Sequence, residues 1–456
     1  MDLTLLFISI GVIALTSVVI MYACDGFEEA ADYLGRDMKQ GVKGATINAV
    51  ASSLPELFTT TILLFGPVYL PTVFGTRADG FSAGIATTAG SAVFNSVIIP
   101  ALCIFAVMTI GVRRPDGTRE RVKYIKLDKR VAVKDGIFFL AGEAALIVFL
   151  GGVLMEWWMG AVLSAIYLVY LVVTLGFGFE REAESDSSEL EREGPVSGSI
   201  EESPSDAPQG GTVSSGVGIL GLRYLLDFNA RLNGCAALTD RSAWKIILAA
   251  TVVIAVACAG IAWAIEQSAH ALGVAPYFTA VILAAAATSV PDTILSVKDA
   301  LKGEYDNAIS NAVGSNIFDL TICLGVPLLA YGLIVGDIEL SNAGAAADVQ
   351  VLRWVLFFTT ICVLGLLLTG PVIGALRAYL LFALYCAWTA FIVGRAFEAD
   401  WAQRIVDILP EGEASTEHIP GPSSTRQPAV SHDRLAGLGR AHVTFEVDVE
   451  ASYRGD

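Results

Sequence analysis

Residues 49–56 read Ala-Val-Ala-Ser-Ser-Leu-Pro-Glu, and residues 285–292 read Ala-Ala-Ala-Thr-Ser-Val-Pro-Asp. Each copy places a pair of hydroxyl side chains, a proline and a carboxylate inside an apolar run. Ionisable groups are costly inside a membrane, and those found there are usually functional. Their occurrence at corresponding places in two halves of one chain indicates an ion site between internal repeats.

A second motif follows each copy of the first. Residues 90–95 read Gly-Ser-Ala-Val-Phe-Asn, and residues 314–319 read Gly-Ser-Asn-Ile-Phe-Asp. In each copy the serine precedes the last residue by four positions, so both are expected on one helix face. Helix packing by small residues could explain one such copy. It does not explain why Glu56, Asp292 and Asp319 all occur in apolar surroundings.

The composition indicates a membrane protein. Of the 456 residues, 54% are hydrophobic and 16% are charged, whereas roughly a quarter of the residues of a soluble domain are charged. Ten apolar runs have about the length that crosses a bilayer, 17–25 residues. The predicted class is therefore an all-α polytopic membrane protein with ten transmembrane helices. The runs cover residues 3–24, 44–66, 82–109, 133–153, 157–178, 244–266, 277–300, 307–333, 351–369 and 372–394.

These runs fall into two groups of five, separated by a polar segment. That segment is rich in Glu and Asp with Ser, Pro and Gly between them, which is typical of disordered acidic linkers. The expected organisation is a first half at 1–179 with repeat 1 at about 44–109, an acidic and partly disordered cytoplasmic linker at 180–243, a second half at 244–395 with repeat 2 at about 277–333, and a polar C-terminal tail at 396–456.

Lysine and arginine in the loops predict the orientation in the membrane. The loop after the third run is dense in them, whereas the loops after the second, sixth and eighth runs have almost none, with Arg77 the exception. Both termini are therefore expected outside and the central linker in the cytoplasm, with the plasma membrane as the expected location. The first run has no basic residue before it, so we interpret it as a retained helix and not as a signal peptide.

Four acidic residues follow the first apolar run: Asp25, Glu28, Glu29 and Asp32. We interpret them as the solvated face of a loop. The alternative is that they line a cytoplasmic vestibule.

The residue types in the repeats favour hard cations. Pro55 and Pro291 are expected mid-helix, where each frees a backbone carbonyl about one turn earlier for another partner. Carboxylate, hydroxyl and carbonyl oxygens together are the ligands that Na⁺ and Ca²⁺ prefer. There is no histidine near the repeats and Cys323 stands alone, so zinc and copper are not expected.

The charges suggest a basis for ion exchange. Glu56, Asp292 and Asp319 would carry three negative charges, which repel one another in a low dielectric unless protons or cations neutralise them. One Ca²⁺ leaves one charge for a proton or a monovalent cation, and several Na⁺ ions would also neutralise the site. Either load satisfies the carboxylates, and an empty site is costly to move.

The repeated motifs resemble those of the cation/calcium exchanger superfamily, in particular its sodium/calcium exchangers. The resemblance implies an antiporter whose ten helices form two inverted-topology five-helix repeats, with no cofactor and with Ca²⁺ and Na⁺ as transported ions. It implies that the first and sixth helices slide across a fixed core, that Glu56 and Asp292 hold Ca²⁺, and that flanking residues hold Na⁺. The implied flanking ligands are Ala49, Ser52, Ser53, Ser91, Asn95, Ala285, Thr288, Ser289, Ser315 and Asp319.

Two stretches resemble the potassium-dependent branch more closely. Cys24-Asp25-Gly26-Phe27 is similar to its Cys-Asp-x-Phe signature, and residues 310–319 are similar to its second repeat. In that branch the final aspartate, here Asp319, accompanies K⁺ co-transport. Potassium-independent microbial exchangers also carry aspartate at that position, so K⁺ dependence stays open.

Three other functions compete with this interpretation. A proton/calcium antiporter of the same superfamily usually has a glutamate in the second motif, where this chain has Asn95 and Asp319. A channel would need a repeated filter loop, and an intramembrane serine protease would need a base, although His270 is the only histidine before the tail. No basic surface suits nucleic acid. The expected partners are therefore ions and the lipid bilayer, and the sequence predicts no oligomeric state.

Overall fold

The computed structural model describes residues 2–36, 49–114, 118–127, 129–152, 154–192, 226–234, 237–339, 346–370 and 372–408. Most of the predicted linker and most of the predicted tail lie outside these residues.

Each of the ten predicted apolar runs coincides with a helix or with a pair of consecutive helices. The helices of the described residues are α1 Leu3–Leu34, α2 Ala49–Tyr69, α3 Pro71–Phe74, α4 Arg77–Thr109, α5 Lys129–Phe149, α6 Trp157–Arg192, α7 Phe228–Asn233, α8 Asp240–Leu272, α9 Pro276–Thr288, α10 Val290–Lys302, α11 Tyr305–Ile334, α12 Ala346–Leu368, α13 Ala375–Ala396 and α14 Asp400–Val406.

The all-α polytopic class is confirmed. Within the described ranges, seven helices are long and apolar enough to cross a membrane, and the consecutive pair α9 and α10 raises the number to eight. The other two predicted spans correspond to α2 and α5, each of 21 residues. The count of ten spans and the inverted relation between the halves stay predictions.

Two of the described helices run ten or more residues past their predicted C-terminal ends, at residues 24 and 178. Helix α1 continues to Leu34, because its apolar stretch is followed by residues that still favour a helix. The loop interpretation of Asp25, Glu28, Glu29 and Asp32 is therefore wrong, since all four lie on α1. Helix α6 continues to Arg192 and so includes the first acidic residues of the predicted linker.

The two repeats differ in backbone regularity. In the first repeat, α2 continues through Pro55 and α4 continues through Asn95 without a break. In the second repeat, α9 contains a π-helical segment at Ala280–Ala284, and α9 and α10 meet at a bend of 42°. Pro291 therefore lies in the first turn of α10, so its predicted mid-helix position is wrong.

A second π-helical segment lies in α11 at Asp319–Cys323. The amide of Leu324 donates to the carbonyl of Asp319 at 3.0 Å, which is the five-residue spacing of a π-helix. Such segments are common at functional sites. Both π segments lie beside predicted ligands of the second repeat, and neither was expected from the sequence.

Within the part of the chain that the structure describes, three short antiparallel ladders lie at the ends of helices. Val112–Arg113 pairs with Arg119–Glu120, within the predicted basic loop. The other two ladders join the halves of the chain, because Tyr124–Ile125 pairs with Ile373–Gly374 and Leu154–Met155 pairs with Ile338–Glu339. Each strand has two residues, so the ladders connect loops without changing the helical class.

Small residues allow the helices to approach closely, as is usual in membranes. At the crossing of α6 and α11, a Cβ on Gly160 would lie 2.5 Å from the carbonyl oxygen of Gly325 and 2.5 Å from the amide nitrogen of Leu329. Both are backbone atoms that cannot rotate away. Helix α1 packs along α8, and α4 crosses α2 and lies against α10 and α11. This arrangement brings both repeats to the centre of the bundle.

We expect Gly160→Ala to destabilise the protein, because the added methyl group meets backbone atoms of α11. Overpacking of this kind costs roughly 1–3 kcal/mol. The matched control is Gly365→Ala on α12, where a Cβ would meet nothing within 4 Å. Thermal unfolding in detergent should show a lower melting temperature for the first variant and an unchanged or higher one for the second. Equal melting temperatures would contradict the close crossing.

Candidate cation-binding site

Three carboxylates from different helices meet at the centre of the bundle. Glu56 lies on α2, Asp292 in the first turn of α10 and Asp319 at the start of the π segment of α11. One oxygen of each lies within 4.8 Å of the others, and all three side chains are fully buried. Residues far apart in the sequence therefore form one acidic cluster.

Ser91 of α4 connects this cluster. Its Oγ lies 3.2 Å from Glu56 Oε1 and 3.1 Å from Asp319 Oδ2. It also lies 2.9 Å from Ser289 Oγ, at the bend between α9 and α10. A hydroxyl carries one hydrogen, so it can donate to only one of these oxygens at a time. The Ser289 hydroxyl can itself donate to Ser91, and a carboxylate oxygen that receives no hydrogen from Ser91 remains available as a ligand.

Asn95 lies one turn further along α4 and contacts the second repeat. Its Nδ2 donates to Asp292 Oδ2 at 2.9 Å and to Ser315 Oγ at 3.3 Å. The same nitrogen lies 3.4 Å from Ser91 Oγ, so the expected shared face of these two residues is confirmed. The neutral amide holds Asp292 in place without cancelling its charge.

The cluster has unused ligand oxygens. Among the described residues, Glu56 Oε2, Asp292 Oδ1, Asp319 Oδ1 and Asn95 Oδ1 are buried and have no hydrogen-bond partner. No described Lys, Arg or His forms an ion pair with any of the three carboxylates. Unpaired buried charge is strongly unfavourable. Bound hard cations would satisfy these oxygens and neutralise the charge.

The remaining predicted residues lie around the cluster with different contacts. Ser52 and Ser53 are buried on α2, one turn before Glu56. Thr288 is buried and its Oγ1 donates to the carbonyl of Ala284 at 3.1 Å. The carbonyl of Ala285 accepts from the amide of Ser289 at 3.2 Å, so it already has one partner.

Because Pro291 lies in the first turn of α10, its missing amide removes no hydrogen bond within that helix. Ala49 is the first residue of α2, and its side chain lies outside the described part. Neither Ala49 nor Ala285 has a described contact with the carboxylates.

Two cysteines near the cluster make contacts that the sequence did not indicate. The Cys323 thiol donates to the Ser53 carbonyl at 3.4 Å, and the Cys258 thiol donates to the Pro55 carbonyl at 3.5 Å. These bonds tie α11 and α8 to the part of α2 that carries Glu56. Because the cysteines show no paired spacing, their contacts with α2 could not be predicted from the sequence.

A family model for "Sodium/calcium exchanger protein" matches residues 8–176 and 242–394, which is more than half of the chain. The matched ranges include every residue of the acidic cluster and leave out most of the linker and tail.

Individual relatives match shorter segments. The chain is 44% identical over 80 residues to the sodium/potassium/calcium exchanger Nckx30C of Drosophila melanogaster, which is 17% of this chain and 9% of that protein. It is 33% identical over 137 residues to sodium/potassium/calcium exchanger 3 of Mus musculus, which is 30% of this chain and 17% of that protein. These matches therefore span less than a fifth of either relative.

One solved structure, described as native YfkE, superposes with a TM-score of 0.51 at 12% sequence identity. The superposition covers 84% of this chain and 90% of that chain. At this identity the likeness concerns the fold.

If the cluster binds cations, Ca²⁺ should stabilise the purified protein by roughly 2.7 kcal/mol at a hundred times its dissociation constant. We expect Glu56→Gln to abolish this Ca²⁺-dependent rise in melting temperature. In chelator the variant should melt at or above the wild type, because one of three repelling charges is gone.

The matched control is Glu143→Gln, since Glu143 is also buried but bonds to Thr360 Oγ1 at 2.6 Å, away from the cluster. This control should keep the full Ca²⁺ response. An unchanged response in Glu56→Gln would contradict the site.

Proposed function

Because this chain belongs to the sodium/calcium exchanger protein family, we propose that it is a secondary active antiporter that exchanges Na⁺ for Ca²⁺ across a membrane by alternating access. The family consists of ion transporters and not of enzymes. The observation that carries the proposal is the buried cluster of Glu56, Asp292 and Asp319, which has no described cationic partner.

The charge of this cluster supports exchange over simple binding. With three carboxylates ionised, the empty site would carry a net charge of −3 into a low-dielectric interior, which is strongly unfavourable. A site loaded with Ca²⁺ and one monovalent cation, or with several Na⁺ ions, is close to neutral. Only an ion-loaded site can then switch its access from one side of the membrane to the other at a low free-energy cost. This requirement couples the two ion fluxes.

We assign ligand roles within this proposal by oxygen type. Glu56 and Asp292 hold Ca²⁺ with their carboxylates. Around them, Na⁺ is held by hydroxyl, amide and carbonyl oxygens and by the third carboxylate. These flanking ligands are Ala49, Ser52, Ser53, Ser91, Asn95, Ala285, Thr288, Ser289, Ser315 and Asp319.

The packing of two helices suggests how access alternates. Helix α1 lies mainly against α8 and meets α2, α9 and α10 in fewer places. We propose that α1 and α8 move together across the core that contains the acidic cluster. The protein would act in the plasma membrane, with both termini outside and the linker at 180–243 in the cytoplasm.

A requirement for K⁺ is the second candidate. Two observations favour it: Asp319 is part of the acidic cluster, and the relatives described above are named sodium/potassium/calcium exchangers. The third negative charge that one Ca²⁺ leaves over is a place where K⁺ can be held.

The function is tested by ⁴⁵Ca²⁺ uptake into proteoliposomes loaded with Na⁺. We expect uptake that requires the outward Na⁺ gradient and that is lost in Asp292→Asn, because this variant removes one of the two proposed Ca²⁺ carboxylates. Glu143→Gln serves as the control and should keep transport. Uptake driven by a proton gradient without Na⁺ would instead favour a proton/calcium antiporter.

We expect Asp319→Asn to weaken any stimulation of uptake by external K⁺, because the amide lacks the charge that would balance the monovalent ion. The measurement is Na⁺-driven ⁴⁵Ca²⁺ uptake with K⁺ or with an impermeant organic cation outside. A K⁺ response of equal size in wild type and variant would remove the proposed role of Asp319.

A further inference from the structure

A cavity opens between α1, α2 and α10, next to the acidic cluster. Its inner end reaches Ser52 and Pro291, the residue before Asp292. Its outer end reaches charged residues at the surface. The lining residues that matter here are Cys24, Asp25, Glu28, Ser52, Pro291 and Lys298.

An ion pair crosses the outer end of this cavity. Lys298 Nζ of α10 lies 3.0 Å from Asp25 Oδ1 of α1, and the two side chains are 51% and 45% exposed. Glu28 lies about one turn beyond Asp25 on α1 and also lines the cavity. The mouth thus contains two carboxylates and one ammonium group.

We propose that the ammonium group of Lys298 restricts the entry of cations into this cavity, and that the cavity is a path to the acidic cluster. The ammonium pairs with Asp25 at the mouth that Glu28 also lines, so it occupies a place that an entering cation would otherwise use. A cation must displace it, and the anion-lined mouth becomes fully available only when Lys298 swings away. This inference rests on the proposed cation transport and adds a residue that selects for charge at the entrance.

The energetics favour control of access over a role in stability. An ion pair that is about half exposed contributes little to folding, because water screens it. It can therefore open and close easily. One charge at contact distance nevertheless changes the local cation concentration about fivefold even in water. The effect should shrink at high ionic strength.

Lys302 provides a comparison on the same helix. Its Nζ lies 2.8 Å from Asp299 Oδ1, and its side chain is 58% exposed. It does not line the cavity. Replacing either lysine removes one positive charge from α10, but only Lys298 stands at the mouth.

The test uses Cys24, which lines the same cavity, as a reporter of access. In a full-length variant whose other six cysteines are replaced by alanine, the rate of Cys24 modification is measured in detergent with cationic and anionic methanethiosulfonate reagents. We expect Lys298→Gln to raise the cationic rate and to lower the anionic rate, each by up to about fivefold, the factor that one charge at contact distance gives, so that the ratio of the two rates rises by up to about 25-fold. Lys298→Arg should keep the original ratio, and so should Lys302→Gln.

Two results would overturn the proposal. One is an equal change of the ratio in Lys298→Gln and Lys302→Gln, which would mean that general surface charge is responsible. The other is a Cys24 that reacts with neither reagent in Lys298→Gln, which would mean that removal of the lysine does not open the mouth. Because labelling needs no transport, these results are separate from failure of Na⁺-driven Ca²⁺ uptake.

A transport assay provides a second test of the role of Lys298. If Na⁺-driven uptake is present, Lys298→Gln should lower the Ca²⁺ concentration for half-maximal uptake, with a smaller effect in high salt, while Lys302→Gln should not. If the Ca²⁺ concentration for half-maximal uptake is unchanged in Lys298→Gln, Lys298 does not restrict cation entry, even if exchange itself is present.

Discussion

Three buried carboxylates without a described positive partner form the constraint on which this structure depends. Glu56, Asp292 and Asp319 come from three helices, and their mutual repulsion opposes the packing that brings them together. Ser91 and Asn95 orient these carboxylates through hydrogen bonds, but both side chains are neutral and add no compensating charge. We therefore expect the bundle to be most stable with cations bound, which is the property that the proposed cation transport needs.

The two repeats contribute segments of different backbone structure to this site. The first repeat offers helices without a break, with Ser91 and Asn95 on one face of α4. The second offers a bend at Ser289 and a π-helical segment that begins at Asp319. Single-turn π-helical segments are frequent at functional sites, which agrees with the position of Asp319 in the acidic cluster.

Access to the site depends on a different kind of interaction. The contacts within the cluster are buried and short, so they fix the positions of ligands. The ion pair between Asp25 and Lys298 is half exposed and joins α1 to α10, so it can form and break without unfolding either helix. Strong interactions define the proposed site, and a weak one controls the proposed entrance.

The sequence by itself determined the membrane class, the apolar runs and most of the candidate site, because ionisable groups within apolar membrane segments are rare and usually functional. The tertiary structure decided which of these groups meet. It placed Pro291 after a bend, put Asp25 and Glu28 on a helix beside Lys298, and directed the thiols of Cys258 and Cys323 onto α2. These contacts join residues more than two hundred positions apart, and local spacing carries no information about such distances.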